Sequence, residues 1–268
     1  MTINFLDRGE GRIAYTVRGE GPLVICLPGM GELRSIYRFT EPVLVDAGYR
    51  VAVLDLRGHG DSDDGFRDHD DEALASDALA LVDHLGGPAF LVGNSMGGSA
   101  AILAAAAEPT KITGLVLLGA LVRDPKLNPV LGLAMRLLLL KPWGPAAWRA
   151  YLKTLYPGRP PADQAEHLAE IAANFRRGDH WRSFVKTTKL SHAVVEGRLG
   201  AVRAPALVVM GEKDPDFPDP AGEARYTADR LNGELMLVPN SGHYPMTEYP
   251  ELVNPALVTF VNRVSSNA

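Results

Sequence analysis

The residues best suited to chemistry lie in Gly93-Asn94-Ser95-Met96-Gly97-Gly98, a serine held between near glycines. An apolar run, Phe90-Leu91-Val92, precedes it, and the helical pattern Met96 to Ala107 follows. A strand that turns at once into a helix forces the serine into a strained backbone conformation and lifts its hydroxyl above the sheet, the geometry of a nucleophile elbow. Glycines at 93 and 97 fit because side chains there would collide where strand and helix pass. A serine hydroxyl is a weak nucleophile at neutral pH and needs a base. Among seven histidines, His243 is best placed, in Asn240-Ser241-Gly242-His243-Tyr244, after the last apolar run and before the last helical pattern. The base in turn needs an orienting carboxylate. Gly211-Glu212-Lys213-Asp214-Pro215-Asp216 offers three, with Asp214 preferred because Pro215 fixes the chain directly after it, then Asp216, then Glu212.

These loops need a scaffold that brings them to one edge. Residues 13–17 alternate like an edge strand. The short apolar runs 23–27, 51–54, 90–92, 115–118, 207–210 and 235–238 fit strands buried on both faces. Helical patterns at 35–47, 70–85, 96–107, 221–231 and 250–264 separate them. The alternation predicts an α/β sheet with right-handed crossovers. Between Leu118 and Leu207 the rhythm stops, and Leu-, Ala- and Trp-rich helical stretches are punctuated by Pro142, Pro145, Pro157, Pro160 and Pro161. The expected organisation is a core of residues 1–122 and 197–268 with a helical insert of residues 123–196 at the sheet's carboxyl edge.

With these motifs in place, the sequence resembles the α/β-hydrolase superfamily from about Leu23 to Phe260, except in the insert. The order Ser95, Asp214, His243 is that superfamily's order of nucleophile, acid and base. Asp55-Leu56-Arg57-Gly58-His59-Gly60-Asp61-Ser62 looks like the loop after its fourth strand. The resemblance implies a mostly parallel eight-stranded sheet and a helical cap inserted after strand six, with the substrate pocket between them. It also implies an oxyanion hole from the backbone N–H groups of Met96 and Met30. Leu27-Pro28-Gly29-Met30-Gly31 departs from the superfamily pattern, with Pro28 where a histidine is usual, which leaves open how that loop is braced. His59 has a structural role by the same resemblance.

Leu33, Trp143, Trp148 and Trp181 are the candidate substrate-binding residues, and all three tryptophans of the chain fall in the insert. A mainly apolar pocket favours an acyl chain or an aromatic group over a sugar or phosphate. The expected function is a serine hydrolase that cleaves a carboxylic ester of a mainly apolar small molecule, with no cofactor and no metal. Three alternatives stand beside it. The elbow with an asparagine before the serine is similar to that of carbon–carbon bond hydrolases of ring-fission products, for which Arg176, Arg177 and Arg182 would be the carboxylate-binding candidates. A cofactor-free perhydrolase or haloperoxidase could use the same triad, and a non-catalytic ligand-binding protein could keep it.

Composition excludes other classes. In 268 residues, 46% hydrophobic and 22% charged, there is ample material for a core and too little charge for disorder. A net charge of -5 gives no basic field for nucleic acid or an anionic membrane. The single cysteine, Cys26, excludes an internal disulfide and reads as buried in its apolar run. The acidic residues between Asp61 and Glu72 read as a solvated loop entering a helix. With no signal-like start and no apolar run long enough to span a bilayer, the expected location is cytoplasmic. The sequence assigns no oligomeric state.

Overall fold

The computed structural model describes residues 2–124, 134, 137–189 and 191–267. Eight strands form one sheet in the order β1-β2-β4-β3-β5-β6-β7-β8. They are β1 (Asn4–Asp7), β2 (Arg12–Arg18), β3 (Leu23–Leu27), β4 (Arg50–Leu54), β5 (Ala89–Asn94), β6 (Ile112–Leu118), β7 (Ala206–Gly211) and β8 (Glu234–Val238). The pairs β1–β2 and β2–β4 are antiparallel and all the others parallel. The fold is therefore the mostly parallel α/β sheet expected from the alternating pattern.

Side-chain alternation explains why the central strands are apolar throughout. In β3 and β5, Ile25, Leu27 and Leu91 face one core layer, while Val24, Cys26, Phe90 and Val92 face the other. The first layer is closed by α2 (Asp71–Leu85), α3 (Met96–Ala107) and α8 (Pro220–Leu231). The second is closed by α1 (Glu41–Asp46) and α10 (Pro250–Ser266). The free Cys26 is fully buried in this second layer, and burial pushes its thiol pKa up.

Two local expectations change. β1, and not the stretch 13–17, forms one edge of the sheet; only Leu6 of its four residues is buried, so no alternation marks it in the sequence. The single helix expected over 35–47 is instead a 3₁₀ turn, Arg34–Tyr37, followed by α1. Pro42 lies in the first turn of α1, where its missing N–H costs nothing, and so marks a fresh start.

Strand order reverses at β3, since β4 lies on one side of it and β5 on the other. Loops leaving the carboxyl ends of β3 and β5 diverge there and open a crevice, the place where open α/β sheets bind ligands. Between β6 and β7 the chain forms α4 (Gly144–Thr154), α5 (Gln164–Asn174), α6 (His180–Thr187) and α7 (Ala193–Arg198). Trp148, Phe175, Trp181 and Phe184 pack together here, with ring centroids 4.5–5.1 Å apart from Phe184 to each of the others.

The acidic run also differs from a merely solvated loop. Asp61 pairs with Arg34 and Arg177, Asp64 accepts the Asp179 N–H at 2.6 Å, and Asp71 meets His192 at 2.6 Å. Three of its carboxylates thus receive groups from the insert.

Candidate active site

Ser95 sits between β5 and α3 with φ 53° and ψ −122°, a region that a residue with a Cβ enters only under strain. The surroundings hold it there. A Cβ on Gly93 would meet the Gly97 carbonyl, and one on Gly97 would meet the Leu27 carbonyl. Both glycines are therefore required by backbone packing across the turn. The Ser95 N–H donates to the Leu118 carbonyl at 2.9 Å, which ties the turn to the end of β6. The hydroxyl of Tyr37 donates to the carbonyls of Leu27 and Val92, joining the ends of β3 and β5 beneath it.

The loop after β3 lies directly against this turn. A Cβ on Gly29 would be 2.9 Å from the Ser95 Cβ and 3.1 Å from Asn94 Oδ1. Met30 follows, partly buried against the core. Gly31 has φ +76° and donates its N–H to His59 Nε2 at 3.2 Å. With Nε2 accepting, Nδ1 carries the proton and donates to the Arg57 carbonyl at 3.0 Å. Burial pulls the His59 pKa down to about 4, so it is neutral, as this arrangement needs. His59 therefore braces the loop in which Pro28 stands. Glu32 closes the segment by pairing with His167 of α5, Oε2 to Nε2 at 2.8 Å, with both side chains buried.

His243 and Asp214 meet on the same edge. His243 Nδ1 lies 2.8 Å from Asp214 Oδ2, leaving Nε2 as the other ring nitrogen, and both residues are buried. Asn94 Nδ2 donates to the carbonyls of Leu118 and His243, at 2.9 and 3.2 Å, so the residue before Ser95 also fixes the His243 backbone. Gly119, with φ +56°, leaves space beside the pair, since a Cβ there would lie 3.3 Å from Asp214 Oδ2. Burial pulls the His243 imidazole down, but Asp214 and then Asp216 outweigh it and raise the pKa to about 9.

Of the other acids, Asp216 Oδ2 is 3.5 Å from His243 Nδ1, while Glu212 is exposed. Asp214, Asp216 and His243 are also a group whose atoms could hold a metal ion, within 4.8 Å of one another. The 2.8 Å Asp214–His243 spacing is that of a direct hydrogen bond. It is closer than two ligand atoms sit on tetrahedral zinc, about 3.3 Å apart when each bond is about 2.0–2.1 Å. The trio does not fit a zinc site as it stands.

The substrate-binding candidates are dispersed. Trp148 and Trp181 are buried in the aromatic cluster. Trp148 reaches the loop after β3, because a Cβ on Gly31 would lie 2.8 Å from its Nε1. Trp143 is 54% exposed and donates its indole N–H to the Leu137 carbonyl, so it is not brought to the site. Leu33 lines an opening of about 580 Å³ between the core and α5, together with Arg34, Arg38, Asp61, Glu170 and Asn174. None of Ser95, Met96 and His243 lines this opening.

Sequence reasoning missed the groups that brace the site from a distance. Glu248 of α9 (Pro245–Glu248) accepts from the Gly242 N–H at 2.6 Å and the Ser241 hydroxyl at 3.1 Å, fixing the His243 loop. The Leu155 carbonyl, just past α4, accepts the His243 N–H at 3.0 Å. Tyr151 of α4 donates its hydroxyl to Asp216. Tyr151 and Leu155 reach their partners across long stretches of chain, which no local pattern marks, whereas Glu248 lies only six and seven residues from Gly242 and Ser241.

The chain belongs to the alpha/beta hydrolase family, whose model matches residues 24–256. The expectation of a hydrolase agrees with that membership. A curated relative from Paraburkholderia xenovorans, a 2-hydroxy-6-oxononadienedioate/2-hydroxy-6-oxononatrienedioate hydrolase, is 30% identical over 270 residues, covering 94% of this chain and 91% of its own. Among solved structures, Est816, described as an N-acyl homoserine lactone degrading enzyme, is 25% identical with a TM-score of 0.79, covering 96% of this chain and all of that one. A bromoperoxidase from Bacillus anthracis has a TM-score of 0.85 at 20% identity, with 97% of this chain and all of that one covered, a likeness of fold.

Proposed function

We propose that the protein is a serine hydrolase that cleaves a carboxylic ester of a mainly apolar small molecule through Ser95, His243 and Asp214. The observation that carries this reading is the strained Ser95 turn on the same sheet edge as the 2.8 Å Asp214–His243 pair. In this mechanism Ser95 Oγ attacks the ester carbonyl carbon while His243 Nε2 takes the hydroxyl proton, and Asp214 steadies the imidazolium at Nδ1. The N–H groups of Met30 and Met96 hold the oxyanion. Met96 suits that role because it opens α3, where the first N–H groups have no carbonyl partner within the helix. The tetrahedral intermediate collapses with loss of the alcohol, to which His243 returns the proton. Water activated by the same nitrogen then releases the acid from the acyl-enzyme. The helices between β6 and β7 act as the cap, and the Trp148–Phe184 face behind Gly31 supports an apolar acyl group.

A second reading, carbon–carbon bond cleavage, is favoured by Asn94 before the nucleophile and by the relative of that activity. Against it, the Asn94 amide N–H₂ is already committed to two carbonyls, and two of the three candidate arginines, Arg177 and Arg182, pair with Asp61 and Asp179, while Arg176 has no ion pair among the described residues. The deciding experiment is a turnover panel of p-nitrophenyl esters of increasing acyl length beside a ring-fission dienoate. Multiple turnover of the esters, lost in Ser95→Ala, is expected. Turnover of the dienoate alone would select the second reading, and binding without turnover would make the protein a ligand receptor.

A further inference from the structure

The carboxyl end of α4 grips the His243 region at two points. Leu155 accepts the His243 backbone N–H at 3.0 Å. Four residues earlier, one helical turn away, the Tyr151 hydroxyl donates to Asp216 Oδ1. The other oxygen of Asp216 lies 3.5 Å from His243 Nδ1, the nitrogen that Asp214 Oδ2 approaches to 2.8 Å. The Asp216 N–H donates to Asp214 Oδ1 at 3.0 Å, so the two acids form one connected unit around the imidazole edge. Asp214 is fully buried, whereas the Asp216 side chain keeps 19% exposure and has water within reach as an alternative. A carboxylate placed this way turns outward unless something holds it, because hydration favours the charge and rotation favours disorder.

We infer that Tyr151 is a positioning residue for the base, holding Asp216 so that a second carboxylate stays beside His243. The inference rests on the reading of His243 as the base. Through this contact the insert takes part in acid–base behaviour as well as in substrate fit. The other ionisable groups facing His243 are Asp214, Glu32 from the loop after β3, and Tyr244, whose ring lies 5.1 Å away; Tyr156 stacks on Tyr244 from the insert side. None of them is bonded to Tyr151, so removing its hydroxyl acts on Asp216.

The sign follows directly. A nearby carboxylate favours the protonated imidazole and raises the pH at which the base becomes free. Tyr151→Phe lets Asp216 leave, so the acid limb of kcat/KM should move down by about one pH unit. Asp216→Asn should move it equally, and the double variant should move it no further. Thermal unfolding of each variant checks that the fold is retained, and a merely structural tyrosine would not shift the acid limb. An unchanged acid limb, an upward shift, or additive shifts in the double variant would overturn the inference. His243→Ala separates the two claims. If it keeps the wild-type rate, the assignment of the base fails; if it abolishes turnover while Tyr151→Phe leaves the acid limb in place, only the role of Tyr151 fails.

Discussion

The N–H of Gly31 donates to Nε2 of His59 at 3.2 Å, and this bond joins the loop after β3 to the loop after β4. It supplies the brace for a segment in which Pro28 occupies the usual histidine position, and it needs a neutral imidazole. His59→Ala should lower kcat about tenfold or more by loosening the Met30 donor, with less effect on KM. His59→Gln, whose side-chain oxygen can still accept, should recover part of the loss. Steady-state kinetics on one activated ester checks both.

The same residue sets an acid limit on stability. Its folded pKa of about 4 lies below the ordinary 6.5, so its contribution is present above 6.5 and is lost as pH falls toward 4. His243 has the opposite sign, with a folded pKa raised to about 9. Its contribution is complete below 6.5 and is lost as pH rises through 9, while the neutral base that catalysis needs becomes populated. Between about 6.5 and 9, kcat/KM should rise as the contribution of His243 to thermal stability declines. Paired pH–rate and melting profiles of wild type and His243→Ala test this; an acid limb at or below 6.5 would contradict it.

Two glycines give opposite expectations for one substitution. Gly97→Ala places a methyl group on the Leu27 carbonyl, which β3 cannot move, and should cost more than about 4 kcal/mol or prevent folding. Gly197→Ala, within α7 and with open space around it, should stabilise by about 0.5–1 kcal/mol. Urea unfolding midpoints measure the difference.

The legible parts of the sequence were those where local pattern and tertiary demand coincide. β3 and β5 are buried on both faces, so their runs are wholly apolar and bounded by turns. Gly93 and Gly97 carry the Ser95 turn within five residues, which makes it visible locally. Asp214 and Asp216 were harder to rank because both approach the same nitrogen, and the deciding 0.7 Å belongs to the folded loop. The structural role of His59 is legible from the resemblance, but the groups that His59 and Tyr151 hold lie far along the chain from each, and Glu248, though only six residues from Gly242, reaches it through a turn that no local pattern marks. The tryptophans marked an aromatic insert, but composition could not tell the buried Trp148 and Trp181 from the exposed Trp143.

The central claim is that Ser95, activated by His243, forms the covalent bond to substrate. The most direct measurement is intact-protein mass after reaction with a fluorophosphonate, followed by peptide mapping. The account predicts one adduct per chain, located on Ser95, absent from Ser95→Ala and formed far more slowly in His243→Ala. An adduct that persists in Ser95→Ala, or that maps to another residue in the wild type, would contradict it.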